Sequence, residues 1–150
     1  APQPLMVVFN CCHEDESIAN EMHTKYTRRY SRSALDHYEF HNEGLADIKG
    51  YEYYGGLSKN INKHGIDSFV NFLADLQVRG TPDQVFEQMR DYQEMTNAAG
   101  FINGFSFGGM PHELSKTSMR TFAEKVMPRL KALDVGPAIG GGNPLTIAAE

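Results

Sequence analysis

His37-Tyr38-Glu39-Phe40-His41 sets two imidazoles four places apart, which a helix would bring to one face. Two neutral imidazoles at that spacing are half of a zinc site. The zincin pattern needs Glu directly after the first His, and Glu39 comes one place late. No third ligand stands out. Metal-dependent hydrolysis through His37 and His41 therefore competes with a plainer role as surface or lid histidines. Cys11-Cys12-His13 follows an apolar run, where α/β proteins gather their chemistry. A cysteine nucleophile beside a base is one reading. Small buried residues closing a strand is the simpler one.

Tyr51, Tyr53 and Tyr54, with Lys59, Lys63 and His64, make an aromatic and basic segment. It suits a lid over a planar or anionic ligand, or a partly packed surface loop. Gly108-Gly109 falls between a strand and a helix, where an N-terminus favours an anion, although a tight reversal needs the same residues. Gly140-Gly141-Gly142 lacks the Lys-Ser/Thr pair of a P-loop, because Asn143-Pro144 follow.

These residues must be positioned by regular elements. Leu5 to Phe9 is continuously apolar and predicts a strand buried on both faces. Ile18, Met22, Tyr26 and Tyr30 recur every four residues behind the acids Glu14, Asp15 and Glu16, which predicts an amphipathic helix. From Gly50 to Gly65 glycines interrupt the pattern, predicting an extended or mobile excursion. A short helix with Phe69, Val70, Leu73 and Leu76, capped by Asp67 or Ser68, leads to a short strand, Gln77-Val78-Arg79.

Thr81-Pro82-Asp83-Gln84 is a complete helix start, with an N-cap, Pro at N1 and a capping-box Gln. The predicted buried stripe is Val85, Met89, Tyr92 and Met95, with Gly100 as the stop. Phe101 to Phe107 is the next strand, in which Gly104 marks a close backbone or ligand approach. Pro111 opens the last helix, whose stripe is Met119, Phe122, Val126, Leu130 and Leu133. Pro128 should kink or shorten it. Strand and helix alternate, so the strands are expected to run parallel.

The chain has 150 residues and a formal charge of −5, from 14 basic and 19 acidic residues. The balance disfavours nucleic acid. No 18-residue apolar run suggests a membrane span. Adjacent cysteines would form a strained disulfide, so a reduced, cytoplasmic protein is expected.

In order and spacing, Gly80-Thr81-Pro82, the run G-F-S-F-G-G-M-P-H-E from Gly104 to Glu113, and Val126-Met127-Pro128 resemble the C-terminal end of the bacterial luciferase-like monooxygenases. The likeness covers about residues 5 to 131. It implies α/β architecture: part of a TIM (β/α)8 barrel, about its last three βα units. Residues 1–133 would form that part, with a lid-like excursion at about 50–65, and 134–150 a flexible tail. The first, second and third strands would correspond to the sixth, seventh and eighth of the barrel.

The resemblance further implies reduced FMN, or F420, reacting with dioxygen to oxygenate a small organic substrate. Most flavin contacts would come from the absent units, since a barrel takes about 200 residues or more. The piece is then expected to be inactive alone, and to self-associate or dock to the missing barrel part. The alternative is a non-enzymatic truncated relative acting as an association module. Tyr38, Tyr51, Tyr53, Tyr54 and His64 would lie on the substrate or lid side. Asn10, after the first strand, and Phe107, ending the last, would border the catalytic face.

Overall fold

The structure, a computed structural model, describes residues 3–134. The tail expected beyond Asp134, with Gly140 to Gly142, lies outside the described residues. The protein is α/β, built on a three-stranded parallel sheet of order β2-β1-β3. β1 is Leu5–Cys12, β2 is Val78–Gly80 and β3 is Gly100–Gly104. β1 pairs with β3 through Leu5–Phe9 and with β2 through Asn10–Cys12. Three consecutive barrel strands would put β2 in the middle. Here β1 is central, which departs from the expected sixth-seventh-eighth order. β1, of eight residues, pairs its neighbours over different segments, and β2 has only three residues.

The apolar run of β1 is not buried on both faces. One face is covered throughout, where Val8 and Cys12 pack with Val78, Val85, Met89, Phe105, Phe122 and Val126. The other is covered only toward the carboxyl end, by a cluster of Cys11, Met22, Tyr26, Phe107 and Met110. Leu5 is 62% exposed, Val7 61% and Ile102 54%, and they leave an apolar strip open.

Side chains finish the ladders that these short strands cannot. Ser118 Oγ accepts from Cys12 N at 2.9 Å and lies 3.4 Å from Asn10 O, beyond the last pairing of β3. Gln77 Oε1 accepts from Phe9 N at 3.0 Å. Gln88 accepts from Arg79 N and donates to Arg79 O. At Arg79 the Gln88 amide thus occupies the backbone groups that another strand would need.

After β1, the Asp15 carboxylate caps α1 (Glu16–Met22) by accepting from Ser17 N and Ile18 N. A π-helical segment, His23–Thr27, then passes into α2 (Arg28–Tyr38). Its wider turn brings His23, Tyr26 and Thr27 inward together. The predicted stripe therefore holds at Met22 and Tyr26, while Ile18 lies at the exposed rim.

The excursion is helical, not extended. A 3₁₀ turn (Glu43–Asp47) precedes α3 (Glu52–His64), and α4 (Ile66–Asp75) follows. Gly55, read as a breaker, is a buried contact: a Cβ there would collide with Ala46 of the 3₁₀ turn. Leu35, Ile61 and Val70 form the small core that holds α3 and α4 to α2. The start of α4 has no side-chain cap, so neither Asp67 nor Ser68 serves as one.

α5 (Pro82–Thr96) opens with the predicted box: Gln84 N donates to Thr81 Oγ1 and Thr81 N to Gln84 Oε1. It ends at Asn97, in the left-handed conformation with φ 52°, rather than at Gly100, which starts β3. Val85 and Met89 are fully buried, but Met95 is exposed. β3 stops at Gly104, short of the expected Phe107. The close approach at Gly104 is the Phe9 ring, not a ligand. α6 (His112–Lys125) ends one residue before α7 (Met127–Lys131), which carries Pro128 in its first turn, as expected. The α6 face turned inward is Ser115, Ser118, Thr121 and Phe122, and Met119 points to water. Among the described residues no helix is long and apolar enough to cross a membrane.

Candidate functional site

The predicted site residues fall into two groups. Tyr38 ends α2, while Tyr51, Tyr53, Tyr54 and His64 belong to the helical excursion, and the four tyrosines are joined by rings. Tyr38 stacks on Phe40 at 5.5 Å, and Phe40 lies nearly parallel to Tyr54 at 5.8 Å. Tyr54 meets Tyr51 at 5.7 Å and Tyr53 at 5.6 Å. The left-handed Glu39 (φ 51°), which ends α2, turns the chain at the start of this array. Phe40 also meets Phe69, and Phe69 meets Phe72. Sequence reading missed Phe40 and Phe72 as members. The available signal was Phe69, Phe72 and Leu76 at helical spacing, more apolar residues than one buried stripe needs.

Tyr53 and His64 line one cleft between α3 and α4, of about 410 Å3. Leu57, Ile61, Phe69 and Phe72 supply its apolar lining, and Asn60 and Ser68 its hydroxyl and amide groups. Tyr53 and Phe72 are 79% and 56% exposed, so both rings stand in water.

The second group does not form a site. Asn10 lies within β1, not after it, and is completely buried on the helix-covered side. Its Nδ2 donates to Asn103 Oδ1 at 3.1 Å and lies 3.8 Å from Met89 Sδ, while its Oδ1 has no partner. Phe107 is buried in the loop after β3, with its ring 5.0 Å from Phe9 and 6.2 Å from Tyr30. Phe9 and Tyr30 are themselves 4.2 Å apart. The three rings pack as one aromatic cluster. Gly108 and Gly109 take left-handed conformations, and a Cβ on Gly108 would strike the Tyr26 carbonyl. Tight chain reversal accounts for both glycines, and Arg29 Nη1 donates to Gly108 O at 3.2 Å.

His37 and His41 do not share a helix face, because α2 ends between them. His37 lines a shallow cleft with Arg29 and the Arg32–Asp36 ion pair, and His41 Nδ1 is buried without a partner. No three His, Cys, Asp or Glu side chains converge as a metal-binding group among the described residues. Cys11 and Cys12 are buried free thiols. Burial pushes Cys11 up to about 11, against a hydrogen-bond contact with Thr27, and Cys12 up to about 12. Neither supplies a thiolate near neutrality, so the simpler reading of the pair holds.

A polar groove of about 560 Å3 runs beside β2, between Glu16 of α1, Asp75 of α4 and Asp91 of α5. Behind it sits His23, 5% exposed, which sequence reading also missed. His23 Nε2 donates to Ala74 O at 2.8 Å. Arg79 Nη1 approaches the same nitrogen at 3.2 Å and is paired with Asp75 at 3.3 Å. Burial chiefly, with Arg79 adding to it, lowers the His23 pKa below 6.5, against the pull of the Ala74 carbonyl. Nothing local in the sequence marks a π-helical histidine as the tie between three elements.

No protein-family model matches the chain, and neither a curated protein nor a solved structure is found similar to it.

Proposed function

We propose that this chain is the C-terminal part of a luciferase-like flavin-dependent monooxygenase and does not hold the flavin alone. One observation supports the reading: two of the three family-like segments leave the carboxyl ends of parallel strands. Gly80-Thr81-Pro82 turns from β2 into α5, and Gly104 to Glu113 runs from β3 into α6. Ligands of α/β proteins bind over such ends. In the family, bound reduced FMN or F420 supplies the oxygenation of a small organic substrate by dioxygen.

The described residues do not fit a flavin at these strand ends. Phe9, Tyr30 and Phe107 pack on one another, and neither Asn10 nor Phe107 lines any of the three clefts above. In a complete barrel these rings would have to move, Leu5, Val7 and Ile102 would have to be covered, and β3 would have to pair with β2 instead of β1. Titrating the purified chain with FMN and with reduced F420, alone and co-expressed with the first five βα units of a luciferase-like enzyme, tests this. The chain alone should bind neither, and the pair should bind one of them. Binding by neither preparation would sink the family reading, and tight binding by the chain alone would overturn this misfit.

The exposed strip of Leu5, Val7 and Ile102 favours a second reading, an association module. Under it, sedimentation should show concentration-dependent self-association that Val7→Lys abolishes. A monomer at every concentration would rule it out.

A further inference from the structure

We infer that His23 is a proton-operated latch on the polar groove beside β2: its neutral ring lets the Arg79 guanidinium rest against it at the joint of α4 and β2, and its protonated ring drives that guanidinium out into the groove. The inference depends neither on the flavin reading nor on self-association. One ring nitrogen carries it. His23 Nε2 lies 2.8 Å from Ala74 O and 3.2 Å from Arg79 Nη1. Donating to the carbonyl needs a hydrogen on Nε2, and accepting from the guanidinium needs a bare nitrogen. A neutral ring meets one demand at a time. A second proton makes both ring nitrogens donors. The ring then keeps the carbonyl and sets two cations against each other at 3.2 Å.

The surroundings decide which group yields. His23 is buried, and so is Ala74, whose carbonyl also accepts from Gln77 N at 2.9 Å. Gln77 accepts from Phe9 N of β1, which ties that joint to the sheet. Arg79 is the movable member: its side chain is 36% exposed and lines the groove. The charges acting on His23 are Arg79 of β2, Asp75 of α4 and Arg28 of α2. Asp75 holds Arg79 at 3.3 Å and is itself exposed, so it can follow the guanidinium outward. Glu16 of α1, which accepts from Gln84, and Asp91 of α5, paired with Arg90, line the same groove and keep its field acidic. Tyr92 of α5 donates to Leu76 O and stays neutral. His23 opens a π-helical segment, an irregular turn that recurs at functional sites. Burial chiefly keeps the ring neutral above 6.5, so the latch opens in mild acid below that value.

The test is a titration of the isotope-labelled chain by NMR from about pH 7.5 to about pH 5.5, reading the His23 ring nitrogens and the Arg79 side-chain N–H. Both signals should move with one midpoint below 6.5, while the far-UV circular dichroism holds its neutral-pH value. His23→Gln should abolish the Arg79 movement. Arg79→Gln, at a part-exposed position, should raise the His23 midpoint by about half a pH unit or more, because a repelling cation is gone. Circular dichroism at neutral pH confirms that each variant is folded, and the wild-type titration with Arg79→Gln decides the matter if His23→Gln does not fold. An Arg79 signal indifferent to pH, one that titrates unchanged in His23→Gln, or a His23 midpoint unaltered in Arg79→Gln would each overturn the latch. So would movement of Arg79 that comes only with loss of the circular-dichroism signal, since that is unfolding.

Discussion

The Ser118 hydroxyl accepts the Cys12 backbone N–H at 2.9 Å, from a helix 106 residues further along the chain. Both partners are fully buried, so no water replaces the hydroxyl once it is gone. Ser118→Ala should cost about 1–3 kcal/mol, the penalty for an orphaned buried donor. Urea denaturation gives the magnitude. Hydrogen exchange at the Cys12 amide should accelerate beyond the global change, and an unaltered Cys12 amide would sink the assignment.

Adjacent glycines should differ sharply in tolerance. Gly108 has φ 59°, and its Cβ would strike the Tyr26 backbone; Gly109 has φ 73°, and its Cβ would meet the movable Arg29 guanidinium at 3.2 Å. Gly108→Ala should destabilise by more than about 2 kcal/mol, and Gly109→Ala by about 1 kcal/mol. Thermal melts of the two variants decide the order, and equal losses would contradict this packing.

The buried thiols predict an alkaline weakness. Folding raises Cys11 from 9.0 to about 11 and Cys12 from 9.0 to about 12. The unfolded chain gives up these protons first. The stabilisation is therefore complete below pH 9.0 and declines as pH rises toward the folded values. Denaturation midpoints should fall above that pH, and Cys11→Ser with Cys12→Ala should flatten the fall. Iodoacetamide should label neither thiol in the folded chain near neutral pH, so rapid labelling without unfolding would refute the burial.

His23 predicts the opposite flank. Its folded pKa is lowered, so the neutral imidazole is the form that the fold keeps. Stability is full above 6.5 and is lost as pH falls below it, because the unfolded chain takes the proton first. Between about pH 7.5 and about pH 5.5 the wild type should lose more stability than His23→Gln, which keeps an N–H donor for Ala74 but does not titrate. Parallel pH profiles for the two proteins would show that His23 is not the responsible group.

Local chemistry made much of the fold legible. Thr81 and Gln84 announce α5, Pro128 breaks the last helix, and the apolar run of Leu5 to Phe9 becomes a strand. The failures arise where tertiary contact decides. Gly55 looks like a breaker until Ala46 is seen to press on it, and Asn97 ends α5 three residues before the glycine that looked like its stop. At the candidate site, sequence reading grouped the tyrosines with His64. It could not see that Phe40 and Phe69 join them or that α4 forms the opposite wall. Asn10 illustrates the reverse case: a strand-end position turned out to be core.

The central place of β1 also sets an order of events during synthesis. Phe9 finds Gln77 68 residues later, and Asn10 finds Asn103 93 residues later. Until those segments leave the ribosome, β1 lacks the two neighbours that flank it in the fold. Closing two long loops onto one strand is slow, and an unpaired strand is open to wrong partners meanwhile. Yield in the cell should therefore respond to chaperone supply and translation speed more than to small changes in final stability.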